Sequence, residues 1–528
     1  MKEAFTATTH WADHAAIELI DRVKRSQYVC AAGISPSGVV HIGNFREVIT
    51  VDFVVRALRD RNQSVRFIYS WDDYDALRKV PRNLPNTEML ESHLRRPLAK
   101  IPDPYGTASS YARHFEAQFE AEIRSLGISP EYIYQHEAYE SGRYLSGIET
   151  AMDNEPVIRA ILNRSRTEPL EQDWTCATIY CDECGRDTTR IIRMERPLHF
   201  HYHCASCKKD RQLDARKTPG LKLLWRVDWP MRWSHEQVDF EPGGKDHSST
   251  GGSYDTGSEI ARTVFHREPP VYVQYDFVLA KGLQGKLSSS SGNLITLSQA
   301  LEVYEPQVVR WIFASRKPNI DFSISFDLDV MKAYDDFDRC ERIHYGVEAA
   351  DDKKRTYESR IYELSLIEPN TREDSCPIQF GFRHLCNVLQ IYSGDLDKSA
   401  QHYALANDKN RRRFMERAQR AWRWITEYAP SEFRFFLRSE SSIILTTQPG
   451  ALSDLVELLQ SDMMVEITEQ QLHTQLFSIA AKHNLTPKTF FEAVYDALIA
   501  KKHGPRLASF LLIIGPQTAA QIIKRALA

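Results

Sequence analysis

One segment near the start of the chain, residues 27–75, constrains the fold more than any other. It begins with a short apolar run at residues 27–32, of the kind that forms a buried parallel strand. A turn rich in Gly, Ser and Pro follows, then an apolar helical face, and then a second apolar run at 65–70. Strand, turn, helix and strand in this order predict a βαβ unit, and therefore a parallel sheet with a ligand crevice beyond the carboxyl ends of its strands.

The composition narrows the class of protein. The 528 residues carry 67 Lys and Arg against 71 Asp and Glu, a net charge of −4, which excludes a histone-like polycation but not a local basic surface. A hydrophobic content of 42% argues against a disordered chain. Mean hydropathy is −0.44, and no apolar run approaches the ~20 residues of a membrane span, so we expect no membrane association. The N-terminus lacks the apolar stretch of a secretory signal, and nine sparse cysteines are typical of a cytoplasmic protein with reduced thiols.

The pattern changes twice along the chain. Residues 170–215 are polar and rich in Cys, His and Arg, and they interrupt the α/β pattern like an insertion. An apolar run at 270–280 predicts another buried strand, whereas from about residue 330 the pattern is helical. In the last third, Thr486 followed by Pro487 predicts a helix start. We therefore predict three regions: an α/β domain over residues 1–325, a connecting helical region over 326–366 and an all-helical domain over 367–528.

The turn after the first strand is a candidate phosphate site. Free backbone N–H groups and the helix dipole at a helix start attract anions. His41 and Asn44 lie about one turn apart at that start, so both can donate to a phosphate, and Gly43 lets a flat ring approach the backbone. Pro36 and Gly38 belong to the same turn. Taken alone, such a segment is more often an ordinary turn with a capping histidine.

A second candidate phosphate site is the loop at residues 286–293. Its Lys286 is a mobile cation, and four serine hydroxyls, including those of Ser288 and Ser290, are weak donors. This combination suits a polyphosphate. Taken alone, it is more often a solvated serine-rich loop.

Together the two segments resemble the signatures of class I aminoacyl-tRNA synthetases. Residues 41–44 (HIGN) match the HIGH-type motif, and residues 286–290 (KLSSS) match the KMSKS-type motif, with Ser289 in place of its second lysine. Five segments occur in the order found in class I (archaeal-type) lysyl-tRNA synthetases: GISPSGVVHIGNFRE, DDYDALRKVP, WRVDWPMRW, GGKDHSSTGGSYD and HGPRLASFLLIIGP. The resemblance runs from about residue 10 to the C-terminus.

This resemblance implies a Rossmann-like catalytic domain with a zinc-knuckle insertion and an all-α C-terminal domain. It implies a lysine–tRNA ligase that forms lysyl-adenylate from lysine and ATP with Mg²⁺ and transfers lysine to tRNA(Lys). The implied catalytic residues are His41, Asn44, Lys286, Ser288 and Ser290. The implied ATP site adds Pro36, Gly38, Gly43 and Asp246, and the implied amino-acid pocket contains Gly33, Ser35, Trp225 and His247. Three alternatives stay open: a glutamyl-tRNA synthetase relative, a non-catalytic tRNA-binding paralogue, and a small-molecule nucleotidyltransferase.

Three acidic residues, Asp72, Asp73 and Asp75, follow the second strand. The ε-ammonium of free lysine needs carboxylates, and a cluster beside the nucleotide turn suits it. We therefore predict that these residues bind the substrate. A metal site or a purely structural cluster is the alternative.

Four cysteines have the spacing of a metal site. Cys181 and Cys184 form one C-x2-C pair, and Cys204 and Cys207 form another, with 19 residues between the pairs, which falls within the four-cysteine zinc pattern. We predict one structural Zn²⁺, since four thiolates leave no open coordination position. Nearby alternative ligands are Cys176, His199, His201 and His203.

A second zinc cluster that is common in the family is expected to be absent here. The corresponding segment, residues 102–114, keeps Asp103 and His114, but Thr107 and Ala108 stand where the family often has Cys and His. Two ligands rarely hold zinc.

Residues 409–438 are a candidate RNA-binding segment, with nine basic and three acidic residues interleaved with aromatics. Basic side chains bind phosphates and aromatic side chains stack on unpaired bases. Their combination is typical of a protein that binds a single-stranded RNA loop. An amphipathic helix with buried aromatics is the alternative. The resemblance implies an anticodon-binding domain, with these candidate contacts: Arg411, Arg412, Arg413, Trp422 and Arg506.

Overall fold

A computed structural model describes residues 10–81, 84–281, 295–369, 373–403, 405, 407–438 and 448–527. After a first helix, α1 (Trp11–Arg22), come the elements of the predicted unit: β1 (Tyr28–Ile34), α2 (Ile42–Arg59) and β2 (Val65–Trp71). The two strands pair in parallel along their whole length, from Tyr28 opposite Val65 to Ile34 opposite Trp71. The βαβ prediction is confirmed.

Helix α2 is buried along nearly its whole length, so its charged residues need partners inside the protein. Asp52 forms ion pairs with Arg56 at 2.9 Å and with the fully buried Arg310 at 2.5 Å. Arg46 donates to four backbone carbonyls, among them those of Asp276 and Ile320. These contacts fix the helix that carries the first signature motif.

The parallel sheet extends on both sides of the β1–β2 pair. Beyond β2 come α3 (Thr87–Ser92), α4 (Tyr111–Ser125) and β3 (Glu131–Tyr134), which pairs with β2 in parallel. On the other edge, isolated parallel bridges join Cys30 to Phe240 and Phe240 to Val271. The order is thus β3, β2, β1, residue 240, residue 271. The order reverses between β1 and Phe240, and ligands bind at such a switch point in open α/β sheets. The Rossmann-like expectation is confirmed.

Three helices lead from this sheet to the predicted insertion: α5 (Gln135–Glu140), α6 (Leu145–Asp153) and α7 (Glu155–Asn163). The polar segment then forms β4 (Ala177–Ile179), β5 (Thr189–Glu195), β6 (His199–Cys204) and β7 (Lys209–Asp214), followed by β8 (Leu221–Leu223). Strands β5, β6 and β7 make an antiparallel sheet with β6 in the centre, and β4 pairs with β8.

The α/β pattern then resumes through elements on both sides of the crevice: α8 (Trp225–Glu236), β9 (Gly243–Gly244), α9 (Ser253–Thr263), β10 (Gln274–Tyr275), β11 (Val278–Lys281), α10 (Leu297–Val303), α11 (Pro306–Ala314) and β12 (Phe322–Ser325). The prediction of one buried strand at 270–280 is wrong. The chain changes partner at Asp276, since β10 pairs with β9 and β11 pairs with β12. Phe277, just after the break, is 57% exposed.

Beyond β12, the described part of the chain contains helices and no strand: α12 (Asp329–His344), α13 (Asp352–Ser365), α14 (Phe382–Ile391), α15 (Leu396–Gln401), α16 (Asp408–Glu427), α17 (Pro449–Leu459), α18 (Glu469–Lys482), α19 (Pro487–Ile499), α20 (Leu507–Ile514) and α21 (Pro516–Leu527). Thr486 caps α19 by accepting from the Thr489 N–H, with Pro487 as the first helical residue, as predicted. The all-helical expectation for this part is confirmed.

Helix α16 is joined to the preceding part of the chain through buried polar contacts. Arg417 pairs with Asp338 and with Glu305, each at 2.8 Å. The indole of Trp424 donates to the carbonyl of Phe326 at 2.9 Å. A single hydrophobic cluster runs from α1 through α2 to α16.

Within the residues described, no single helix is both long and apolar enough to cross a bilayer. The one combination that reaches the required length is Leu507–Ile514 with Pro516–Arg525, and this pair is bent by 100°.

Candidate active site

His41 and Asn44 form a reciprocal cap at the start of α2. His41 Nδ1 accepts from the backbone N–H of Gly43 at 3.1 Å, and Asn44 Oδ1 accepts from the backbone N–H of His41 at 3.2 Å. Burial lowers the pKa of His41, so its ring is neutral at pH 7. Because Nδ1 is an acceptor, the proton is on Nε2. His41 therefore keeps one N–H donor, and Asn44 keeps its amide N–H groups.

Gly43 is needed by the histidine beside it. A Cβ at this position would lie 2.8 Å from Cε1 and 2.9 Å from Nδ1 of His41, closer than carbon atoms approach without a shift. The flat ring next to Gly43 is thus the imidazole of the motif itself. A substrate ring in the same place stays a prediction.

The first signature is hydrogen-bonded to the chain just after the second. The Ile42 N–H donates to the carbonyl of Ile295 at 2.7 Å, and His41 forms an antiparallel bridge with Thr296. Lys286, Ser288 and Ser290 lie outside the described residues, which resume at Ile295. Ile295 and Thr296, five and six residues after the second motif, therefore lie against the start of α2.

Two glycines lie at the carboxyl-terminal ends of β1 and β9, on either side of the point where the strand order reverses. A Cβ on Gly33 would lie 2.6 Å from the carbonyl oxygen of Ser70, so only glycine allows this close approach of β1 to β2. Gly244 ends β9, where a Cβ would lie 2.5 Å from Oδ1 of Asp246. Asp246, the candidate for the ribose hydroxyls, is 67% exposed at this edge.

The turn between β1 and α2 is fastened to helix α4. The Tyr111 hydroxyl donates to the carbonyl of Ser37 at 2.8 Å, between the candidate ATP-site residues Pro36 and Gly38. Ser35, a candidate pocket residue, donates to the carbonyl of Asp72 at 3.4 Å.

Three tryptophans at i, i+4 and i+8 make one face of α8. Trp225 stacks on Trp229 with ring centroids 5.0 Å apart, and Trp229 lies 4.7 Å from Trp233. The ring of His247 lies 6.2 Å from Trp225 and 5.9 Å from Trp229. The structure thus brings together Trp225 and His247, which the resemblance assigns to the aromatic wall and the polar anchor of the pocket.

The acidic cluster has cationic partners within the chain. Asp72 pairs with the buried Arg232 at 2.7 Å, and Asp75 pairs with the buried Lys222 at 2.8 Å. Asp73 pairs with the imidazole of His136. Each carboxylate already faces a cation or an imidazole, which differs from the expectation of three charges free for a substrate ammonium. Their binding of lysine stays a prediction.

Glu47 is a site residue that sequence reasoning missed. Its Oε1 accepts from the Gly33 N–H at 2.8 Å, and its Oε2 accepts from the Tyr275 hydroxyl at 2.7 Å. It thus joins β1, α2 and β10 beneath the crevice. Burial raises the pKa of Glu47 to about 8. The available signal was its position three residues after Asn44, on the same face of α2.

The four predicted cysteines converge. Sγ of Cys181 lies 3.9 Å from that of Cys207, and Sγ of Cys184 lies 3.7 Å from that of Cys204. A tetrahedral zinc with ~2.3 Å bonds has ligand atoms about 3.8 Å apart, so the cluster could hold one such ion. Cys176 is not part of the cluster, since its thiol contacts the sulfur of Met152 at 3.4 Å.

Asp103 and His114 belong to a tight loop. Asp103 accepts from the backbone N–H groups of Tyr105, Thr107 and Ala108, and the His114 ring stacks on that of Tyr105 at 4.4 Å. The Asp103 carboxylate is thus committed to the loop backbone.

The candidate RNA contacts divide into exposed and internal groups. Arg411 and Arg412 are exposed on α16. Arg413 differs from the expectation of an RNA-facing cation, because it forms an ion pair with the buried Glu341 at 2.7 Å. Trp422 packs against Gly394, where a Cβ would lie 2.3 Å from its ring.

Arg506 lies at the start of α20 on the rim of a cavity of about 860 Å³ between α12, α14 and α20. Arg383 and Lys501 also line this cavity, as do Phe433 and Phe510. Basic and aromatic side chains therefore share one concave surface in the helical part of the chain.

Comparisons with known proteins identify the family of the chain. The model of the family tRNA synthetases class I (K) matches residues 9–368. A lysine–tRNA ligase of Borreliella burgdorferi is 44% identical over 513 residues, covering 96% of this chain and 97% of the relative. One of Thermococcus kodakarensis is 40% identical over 517 residues, covering 95% and 97%. A solved glutamate–tRNA ligase of Elizabethkingia meningosepticum, 11% identical and covering 95% and 99%, has a TM-score of 0.43, too low to support an argument.

The family model covers two thirds of the chain. The two lysine–tRNA ligases are 40% or more identical to it over nearly its full length. Together they assign the chain to one family. This chain is a member of the class I (K) tRNA synthetases.

Proposed function

We propose that this chain is a lysine–tRNA ligase, with its active site in the crevice between β1 and β9. The single observation that carries the proposal is the hydrogen bond from Ile42 to Ile295, because it ties a residue five positions after the second ATP-signature segment to the start of the first. The relatives named lysine–tRNA ligase support the choice of amino acid.

The reaction has two steps and needs no nucleophile from the protein. The carboxylate of lysine attacks the α-phosphate of ATP, which enters as its Mg²⁺ complex, and pyrophosphate leaves. A hydroxyl of the terminal ribose of tRNA(Lys) then attacks the carbonyl carbon of the adenylate, and AMP leaves. Catalysis is positioning and stabilisation of developing negative charge.

His41 and Asn44 supply fixed donors for this charge. The cap holds the imidazole as the Nε2–H tautomer, so we propose that it donates to a phosphate oxygen without prior reorganisation. The Asn44 amide would donate beside it. Lys286, with Ser288 and Ser290, would stabilise the leaving pyrophosphate.

The amino acid would lie between the end of β1 and the tryptophan face of α8. Gly33 and Ser35 would form its floor, and Trp225 and His247 its wall. Of the three acidic residues, Asp75 has the largest free surface, since its side chain is 42% exposed. We propose that Asp75 contributes most to the attraction of the ε-ammonium. Asp72 would act through its ion pair with Arg232.

The cysteine cluster would hold one structural Zn²⁺. Its four thiolates complete a tetrahedron, so the ion would stabilise the insertion and take no part in the reaction. All nine cysteines are free thiols, which suits the reducing cytoplasm that we propose as the location.

The cavity beside α20 would receive unpaired bases of the tRNA anticodon. Arg383 and Arg506 would contact phosphates, and the half-buried Phe433 would stack on a base. Arg411 and Arg412 would extend the basic surface along α16.

The test is ATP–pyrophosphate exchange by the full chain, with each amino acid in turn, with and without tRNA(Lys). Exchange with lysine alone among the amino acids is the expected result. Exchange with glutamate instead would establish the glutamyl-type alternative. Binding of tRNA without exchange for any amino acid would establish a non-catalytic paralogue.

A further inference from the structure

Strand β6 carries a row of histidines on one face. Its sequence, HFHYHC, alternates strictly, and successive side chains of a strand point to opposite faces. Phe200, Tyr202 and Cys204 are buried in the insertion. The three histidines therefore share the outer face.

Glu195 on β5 lies opposite the first of these histidines. Glu195 pairs in register with His199, and its Oε2 lies 3.5 Å from His199 Nδ1. Its Oε1 lies 3.2 Å from His201 Nε2. The three ligand atoms all lie within 4.8 Å of one another. Tetrahedral bonds of ~2.1 Å place ligand atoms about 3.4 Å apart, so one ion can contact all three groups with small side-chain movements.

We propose that Glu195, His199 and His201 form a second metal site, for a divalent cation of the Zn²⁺ class. Two imidazoles and one carboxylate suit Zn²⁺, Co²⁺ and Ni²⁺ better than Mg²⁺ or Ca²⁺. The site has three protein ligands and faces solvent, so water completes its coordination. It is separate from the cysteine cluster: Cys204 is on the opposite face of β6, about 10 Å along the strand from His201.

Arg193 occupies this position in the structure. Its Nη2 lies 3.1 Å from His201 Nε2 and its guanidinium lies 3.1 Å from Glu195 Oε1. A cation is thus already held by two of the three groups. The Arg193 side chain is 61% exposed, so it can turn into solvent when a metal ion replaces it.

The third histidine of the row is not a ligand. His203 Nδ1 lies 2.8 Å from Asp210 on the neighbouring strand β7, on the far side from Glu195. His203 shares strand, face and residue type with the two proposed ligands, and therefore serves as the matched control.

A metal ion here would close the β5–β6 hairpin. Glu195 is the last residue of β5 and His199 is the first residue of β6, so the ion would bridge the two ends of the turn between them. The same hairpin presents Cys204 at its other end. Occupation of the outer site would therefore steady the strand that ends in Cys204, one of the four residues of the cysteine cluster.

The experiment is a Co²⁺ titration of the full chain, after its zinc content as purified has been measured. Co²⁺ bound by thiolates shows strong sulfur-to-metal charge transfer, whereas a site of two imidazoles and a carboxylate does not. We expect one Co²⁺ to bind without the sulfur band. His199→Ala and His201→Ala should each weaken it at least about tenfold, and Glu195→Gln should weaken it as well. His203→Ala should leave the affinity within about twofold, and Arg193→Ala should raise it.

Three results would overturn the proposal. The first is that no Co²⁺ binds beyond the ion that produces the sulfur band. The second is an equal loss of affinity in His203→Ala, which would mean an unspecific histidine row. The third is full affinity in the double variant His199→Ala, His201→Ala. Unchanged zinc content in every variant verifies that the insertion is still folded.

Discussion

Oε1 of Glu47 lies 2.8 Å from the backbone nitrogen of Gly33, so a buried carboxyl on α2 holds the end of β1 in place. Burial raises the pKa of Glu47 to about 8, well above the ordinary 4.5. The folded state therefore keeps a proton that the unfolded state releases, and stability falls as pH rises between about 5 and 8. A single such group contributes a slope of up to about 1.4 kcal/mol per pH unit.

Glu47→Gln should remove this slope while keeping both hydrogen bonds. We expect the variant to gain stability relative to the parent between pH 5.5 and pH 7.5, as measured by thermal unfolding. Glu18→Gln, at an exposed position of α1, is the control and should follow the parent. The same pH dependence in Glu47→Gln and in the parent would contradict the role of this carboxyl.

Gly43→Ala should lower the rate of ATP–pyrophosphate exchange about 100-fold, because the new methyl group displaces the His41 ring from its cap. The fold should survive, since the ring can move toward the crevice. Binding of tRNA(Lys) to the variant is the control and should be unchanged. A rate within a few-fold of the parent would mean that the position of the ring does not matter.

Asp72→Asn should be the most destabilising change in the acidic cluster. It leaves Arg232 buried with a weakened partner, and breaking a buried ion pair typically costs about 3–5 kcal/mol. Asp75→Asn should cost less than half as much, because the Asp75 side chain is 42% exposed, whereas that of Asp72 is buried. Urea unfolding of both variants measures the difference. Equal losses of unfolding free energy in the two variants would contradict the greater contribution of the buried Asp72–Arg232 ion pair.

Cys204→Ser should remove the one equivalent of zinc per chain that we expect the cysteine cluster to hold, as measured by elemental analysis. Cys176→Ser should retain it, because that thiol lies against Met152 outside the cluster. Retention of zinc in Cys204→Ser would place the ion elsewhere. Chelation should loosen the insertion, and it should also lower the stability of the parallel sheet, because Cys181 and Phe200 of the insertion share one hydrophobic cluster with Ile68 of β2.

Arg506→Ala and Arg413→Ala should affect different properties. Arg506→Ala should weaken tRNA binding and reduce the salt dependence by about one counterion, since it removes one phosphate contact. Arg413→Ala should instead lower stability, because it removes the cation from the buried Glu341. Filter binding at several salt concentrations and thermal unfolding measure the two effects. A loss of tRNA affinity alone in Arg413→Ala would contradict the ion-pair role.

The sequence was most informative where local pattern decides structure. The βαβ unit, the cap at Thr486 and the converging cysteines follow from spacing and from residue preferences of single segments. Each of them can be evaluated without knowing the rest of the chain.

The sequence did not reveal the ion pairs and strand pairings between segments that are distant along the chain. Arg232 neutralises Asp72 from 160 residues away, and Arg413 meets Glu341 from 72 residues away. In the sequence, a cluster of acidic residues or a run of arginines looks available for a ligand, because the side chains that pair with it lie far away along the chain. The break at Asp276 was missed for the same reason, since it depends on two different partner strands.

Helix α16 determines how the chain can be divided. Phe414, Trp424 and Ile425 on this helix lie in one hydrophobic cluster with Phe45 of the signature helix and Phe326. A fragment of residues 367–528 would carry these side chains without the surface that covers them, and would aggregate rather than fold. The helical part from α14 to α16 is therefore no detachable module: it shares its interior with α2 of the α/β part, and the two unfold together.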